Sequence, residues 1–85
     1  MPTERIPLLT VYSRKDCHLC EEMTEALQVL QGLVSFKVEV VDVDADPELE
    51  RRFGEKVPVL AHEGRELCHY RLDTAAVTAY VAKIR

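Results

Sequence analysis

The sequence predicts an α/β fold, a four-stranded mixed sheet flanked by helices in the order β-α-β-α-β-β-α. Three observations carry this. Leu8-Leu9-Thr10-Val11-Tyr12 is apolar nearly throughout and suits a central strand buried on both faces. A run with helical periodicity follows it and leads to a second β-favouring run, Phe36 to Val43, so two strands are joined through a helix and should lie parallel with a right-handed crossover. Val57 to Ala61 and Arg65 to His69 then flank Glu63-Gly64, the signature of a hairpin that adds antiparallel strands.

Taken in order, Met1 to Pro7 is a leader expected to fray before Pro7. Ser13 to Asp16 is the polar loop that leaves the first strand. From Cys17 the period changes: Leu19, Met23, Ala26, Leu27 and Leu30 form one apolar stripe. Glu21, Glu22 and Glu25 lie near the start, where carboxylates suit the positive end of a helix dipole. With Gly32 as its stop, the first helix is predicted over 18–31. In the second strand Phe36, Val38 and Val40 share a face. Asp46 as N-cap with Pro47 at the first helical position starts a short second helix carrying Leu49 and Phe53, and Gly54 ends it. Asp73 caps the last helix, Leu72 is placed to staple onto Val77, and Val77, Tyr80, Val81 and Ile84 form its buried stripe. No internal repeat or linker interrupts residues 1–85, which read as a single domain.

The bulk properties exclude several function classes. A net charge of −4 lacks the basic footprint that phosphate binding needs, so nucleic acid is not the expected partner. No apolar run is long enough to span a bilayer, and residues 1–10 lack the apolar core of a signal peptide. The expectation is a monomeric cytoplasmic protein. Thiols are normally reduced there, and a close cysteine pair is catalytic or metal-binding more often than structural. The total of 3 cysteines would leave one over from any paired framework.

The chemistry concentrates in Ser13-Arg14-Lys15-Asp16-Cys17-His18-Leu19-Cys20. Three positions along a helix bring two α-carbons to roughly 5 Å, within disulfide range. Cys17 falls at the helix start, where unpaired backbone N–H groups favour an anion, and the thiolate is the reactive form of cysteine. Arg14 and Lys15 add positive charge from the loop, His18 adds more when protonated, and Asp16 opposes them. Cys20, one turn deeper, is the resolving thiol.

These residues resemble those of a glutaredoxin, within the thioredoxin superfamily. Val11-Tyr12-Ser13-Arg14 leading into Cys17-His18-Leu19-Cys20 is similar to the strand, loop and Cys-x-x-Cys of that family, and Lys56-Val57-Pro58 resembles the Thr-Val-Pro before its hairpin. The element order matches from Leu8 to Ile84. The pattern looks most like the small glutaredoxin-like proteins with a Cys-His-Leu-Cys centre. The resemblance implies a thiol–disulfide oxidoreductase with Cys17 and Cys20 catalytic, Arg14, His18, Val57 and Pro58 facing the substrate, and a cis Val57–Pro58 bond. It implies no resident cofactor. The partner would be a disulfide-bearing protein or a glutathione-type thiol, with glutathione as co-substrate. The sequence departs from the patterns of the superfamily at three places. Asp16 stands where thioredoxins carry Trp, His18-Leu19 replaces the Pro-Tyr usual in glutaredoxins, and the glutaredoxin Gly-Gly after the fourth strand falls on Cys68-His69.

A second reading stands beside the enzyme: a thioredoxin-fold binding module that carries a metal or iron–sulfur cluster, or docks a protein, with little turnover. Cys17, Cys20, Cys68 and His69 are a four-ligand set of a suitable type, although strand neighbours such as Cys68 and His69 point to opposite faces. Cys68 itself is either a buried strand residue or a third redox partner. Asp42, Asp44 and Asp46 lack the glycine and distal Glu of a calcium loop and read as a strand end and a helix cap.

Overall fold

The first strand, β1 (Leu8–Ser13), is central and is buried on both sides, as its apolar run requires. The computed structural model describes residues 6–84; residues 1–5, most of the predicted leader, and Arg85 lie outside them. After β1 come α1 (His18–Leu30), β2 (Lys37–Asp42), a 3₁₀ turn (Val43–Ala45), α2 (Pro47–Phe53), β3 (Val59–His62), β4 (Arg65–His69) and α3 (Thr74–Ile84). The sheet order is β2-β1-β3-β4, with β1 and β2 parallel and the other two pairs antiparallel.

Strand alternation divides β1 between two layers. Leu9 and Val11, both 0% exposed, join Met23, Leu27 and Leu30 of α1, Phe36, Leu60 of β3, and Val77 and Val81 of α3 in the main core. Tyr12 faces the other way, where Val43, Phe53 and Val59 form a smaller cluster under α2, with the Tyr12 and Phe53 rings stacked 4.4 Å apart. Cys20, Met23, Leu27 and Leu30, spaced by three and four, are the buried stripe that fastens α1 to the sheet.

Local signals act as their chemistry dictates. Asp46 Oδ1 accepts from the Glu48 N–H (2.9 Å), and Asp73 Oδ1 accepts from the Ala76 N–H (3.0 Å). Glu63 and Gly64 both have positive φ (50° and 84°), the pair a tight hairpin turn of the right twist requires.

Four details depart from the sequence expectation. Val43 leaves the strand because the Asp42 carboxylate accepts from the Asp44 N–H (2.9 Å) and turns the chain into the 3₁₀ element. The third strand starts at Val59 rather than Val57, and Pro58 contributes only its carbonyl, which accepts from the Tyr70 N–H. Gly32 does not adopt the left-handed region; α1 ends at Leu30 in tightened turns in which the Gly32 and Leu33 N–H groups reach the Val29 and Leu30 carbonyls. The α3 stripe narrows to Val77 and Val81, and Ile84 is 39% exposed. Among the described residues no helix is long and apolar enough to cross a membrane.

Leu27 is 1% exposed in the main core, so Leu27→Ala should cost about 2–5 kcal/mol in urea unfolding. Loss of the α3 cap in Asp73→Ala should cost only about 1 kcal/mol.

Candidate functional site

The loop between β1 and α1 brings the cysteines together. Cys17 is the N-cap of α1, with extended backbone (φ −114°, ψ 107°), and its Sγ accepts from the Cys20 N–H at 3.2 Å. It therefore takes the place that Ser, Thr or Asp usually fills at a helix start. Asp16 before it has a φ of 55°, a left-handed conformation that Asp tolerates better than most residues. Cys17 and Cys20 are joined as a disulfide with Cα atoms 5.2 Å apart. Their environments are unequal: Cys17 is half-buried, while Cys20 is 4% exposed and faces the core with Met23 and Leu27.

A cavity of about 340 Å³ adjoins the pair, lined by Ser13–Cys17, Cys20 and the α1 residues Glu21, Thr24 and Glu25. Arg14 lines it but is heavily engaged. Its Nε and Nη2 donate to both Asp44 carboxylate oxygens (3.1 and 3.0 Å), Nη2 also to Glu50 Oε2 (3.0 Å), and Nη1 to the Gly54 carbonyl (3.2 Å). These carboxylates raise the guanidinium pKa further above its ordinary value, Asp44 first. The Arg14 charge is thus answered locally, and its geometric effect is to tie the cysteine loop to the 3₁₀ turn and α2.

This clamp also explains why residue 54 is glycine. Its backbone is ordinary right-handed helix (φ −54°), so conformational freedom is not the reason. A Cβ there would stand 2.5 Å from the Glu50 carbonyl oxygen, 2.6 Å from Glu50 Oε2 and 3.1 Å from Arg14 Nη2. Gly54→Ala should therefore destabilise by roughly 1–3 kcal/mol in chemical unfolding, with the shift concentrated at the clamp.

The remaining sequence-predicted positions are placed as follows. His18 is 83% exposed, and its Nε2 lies 2.9 Å from Glu22 Oε2 along the helix. The Val57–Pro58 peptide bond is cis; Pro58 is buried and Val57 packs with the cluster under α2. Tyr12 is paired with Val59, so continuing that antiparallel register by one residue sets Pro58 beside Ser13, at the end of the sheet that carries the cysteine loop. Cys68 is half-buried opposite Leu60 against the main core, where burial pushes its thiol pKa up. His69 instead meets Glu66, its Nδ1 lying 2.6 Å from Glu66 Oε2. Among the described residues, no group of three or more His, Cys, Asp or Glu side chains is gathered to hold a metal ion.

Tyr70 was not singled out by sequence reasoning. Its φ is 64°, its N–H donates to the Pro58 carbonyl (2.8 Å) and its hydroxyl donates to the Glu55 carbonyl (2.9 Å), so the side chain runs beside the segment leading to Pro58 while staying 45% exposed. The left-handed backbone after β4 falls on this tyrosine rather than on the Cys68-His69 positions. No propensity signals it, because tyrosine rarely adopts positive φ. Nearby, Lys56 Nζ donates to Glu66 Oε1 (2.9 Å) and this bond, ahead of the one from His69, holds the Glu66 carboxyl below its ordinary pKa. A depressed pKa stabilises the fold at pH values above the unfolded carboxyl pKa, and the benefit is lost as pH falls through the folded value. Glu66→Gln should accordingly lower stability at neutral pH, and the gap to wild type should close on acidification below the carboxylate range, as followed by thermal unfolding.

The comparisons with known proteins agree with this architecture. The chain belongs to the family described as glutaredoxin-like domain (DUF836), which matches residues 8–82. It is similar to the solution structure of protein Ne2328 from Nitrosomonas europaea, with 44% identity, 95% of this chain and 99% of that one covered, and a TM-score of 0.81. The X-ray structure of protein XcR50 from X. campestris is 38% identical over 88% of this chain and 96% of that one, with a TM-score of 0.67. Thioredoxin 1 from Thermosipho africanus, at 15% identity, covering 91% and 97% of the two chains with a TM-score of 0.60, shares the fold alone. The chain is therefore a glutaredoxin-like protein with a thioredoxin-like fold.

Proposed function

We propose that the protein is a thiol–disulfide oxidoreductase in which Cys17 attacks and Cys20 resolves. The observation that carries this is the asymmetry of the pair. Cys17 is half-buried and its Sγ accepts a helix N-terminal N–H, while Cys20, one turn further on in the same cavity wall, is 4% exposed. An N–H aimed at sulfur favours the thiolate over the thiol.

In the reduced protein the Cys17 thiolate attacks one sulfur of a substrate disulfide. A Cys17–substrate disulfide forms and the other substrate sulfur leaves as a thiolate. Cys20 then loses its proton and attacks Cys17 Sγ, forming the Cys17–Cys20 disulfide and releasing the second substrate thiol. Two electrons pass from the protein pair to the substrate, and a low-molecular-weight thiol such as glutathione, or a dithiol, restores the reduced state. On a glutathionylated protein the same steps release the protein thiol.

Arg14, His18, Val57 and Pro58 are the substrate-facing positions in this reading. With Arg14 held by Asp44 and Glu50, the helix N–H groups and Lys15, which lines the same cavity, supply the positive potential near the sulfur. The reaction suits the cytoplasm, where reduced thiols are maintained.

Cys20→Ser should trap a partner on Cys17 as a mixed disulfide that survives non-reducing electrophoresis, and Cys17→Ser should trap none. Absence of any adduct from Cys20→Ser, incubated with glutathione disulfide and with disulfide-bearing proteins, would overturn the assignment. In the reduced wild type, iodoacetamide at neutral pH should label Cys17 well before Cys68, because burial keeps the Cys68 thiol protonated. Equal labelling rates would remove the physical basis for Cys17 as the nucleophile.

A further inference from the structure

The outer edge of β2 carries a self-complementary pattern. In the sheet order β2-β1-β3-β4, β2 lies at one margin and is paired only through its β1 side. The Lys37 N–H donates to the Pro7 carbonyl (2.8 Å), so the backbone polar groups of Lys37, Glu39 and Val41 point inward to β1. By strand alternation those of Val38 and Val40 point outward. On the face under α1 the edge presents Val38 and Val40, the latter 55% exposed beside Thr24, Gln28 and Gln31. On the opposite face it presents exposed Lys37 and Glu39.

We propose that this edge is the interface of a homodimer, in which a second copy of the chain adds its β2 antiparallel and makes one continuous sheet. A two-fold axis perpendicular to the sheet must pass through a residue that faces its own copy, and the charges choose which. Centred on Glu39, the pairing sets two like charges face to face, which is destabilising. Centred on Val40, it sets Glu39 against Val41 and Lys37 against the buried Val43 of the 3₁₀ turn. Centred on Val38, it sets Lys37 of each copy against Glu39 of the other, twice over. Val38 then meets Val38, and Val40 meets Phe36.

The backbone supports the same register. Val38 and Val40 supply outward N–H and C=O groups, so Val38–Val38 becomes a hydrogen-bonded pair. Lys37–Glu39 becomes the intervening non-hydrogen-bonded pair, whose side chains stand closest. An exposed edge is otherwise a liability for uncontrolled pairing, and a two-fold partner closes it. The arrangement is independent of the thiol chemistry and replaces the monomer expected from sequence.

The test is sedimentation equilibrium of the full chain across a range of concentrations, with a reducing agent present so that no intermolecular disulfide contributes. The expected result is a reversible monomer–dimer equilibrium. Glu39→Lys and Lys37→Glu should each weaken association by at least ~10-fold, and the double variant Lys37→Glu/Glu39→Lys should recover it. Both positions are exposed, and each variant should keep the wild-type circular dichroism spectrum. A chain that stays monomeric at all concentrations would overturn the proposal. So would a dimer that single charge reversal leaves unchanged, or one that the double swap fails to restore.

Discussion

The structure depends on the burial of one strand from both sides. β1 places Leu9 and Val11 against α1 and α3, and Tyr12 against the cluster under α2. β2 and β3 pair with it, β4 extends the sheet beyond β3, and the helices cover its two faces. Because β1 sits between β2 and β3, its C-terminal end is held laterally as well as above and below. The loop that leaves it starts from a fixed point, and so does the helix N-terminus that receives Cys17. The placement of the Cys17–Cys20 pair at this site is a consequence of packing elsewhere.

The Arg14 clamp extends the same constraint. A guanidinium shared among Asp44, Glu50 and the Gly54 carbonyl joins the cysteine loop to the consecutive 3₁₀ turn and α2, which lie 30 to 40 positions further along the chain. It satisfies a C-terminal carbonyl of α2 that would otherwise lack a helical partner. A planar five-donor group is suited to this and a lysine is not. One arginine thus spends its charge on positioning, which leaves the backbone dipoles of α1 to act on the sulfur.

The segment after β4 is built differently from what local similarity suggests. Tyr70, rather than a glycine, carries the left-handed turn after β4, and its hydroxyl reaches back to the Glu55 carbonyl. A large ring therefore flanks the approach to Val57 and Pro58. The strain of positive φ at a tyrosine is offset by two hydrogen bonds that span the Glu55–Pro58 segment. The Lys56–Glu66–His69 bridge lies on β4 and the segment before Pro58, next to this side chain in sequence.

Much of this protein is determined by short-range signals in its sequence. The Asp46-Pro47 and Asp73 caps, the Glu63-Gly64 turn and the stripe through Met23, Leu27 and Leu30 act within a few residues, so periodicity and capping chemistry specify α1, α2, the hairpin and α3. Two cysteines three apart at a strand-to-helix junction likewise determine that their α-carbons meet within disulfide reach. Long-range partnership is not local, and tertiary structure alone decided it. Nothing near Arg14 indicates that Asp44 and Glu50, 30 and 36 positions away, would take up its charge. Nothing around Tyr70 indicates a left-handed backbone, because that conformation is sustained by contacts with Glu55 and Pro58 rather than by preference. The edge position of β2, which leaves Lys37, Glu39 and Val40 exposed, follows only from the order in which the strands assemble. The cysteine pair was therefore legible in the chain, while the charge around it and the surfaces beside it were decided by the fold, because those depend on contacts between distant segments.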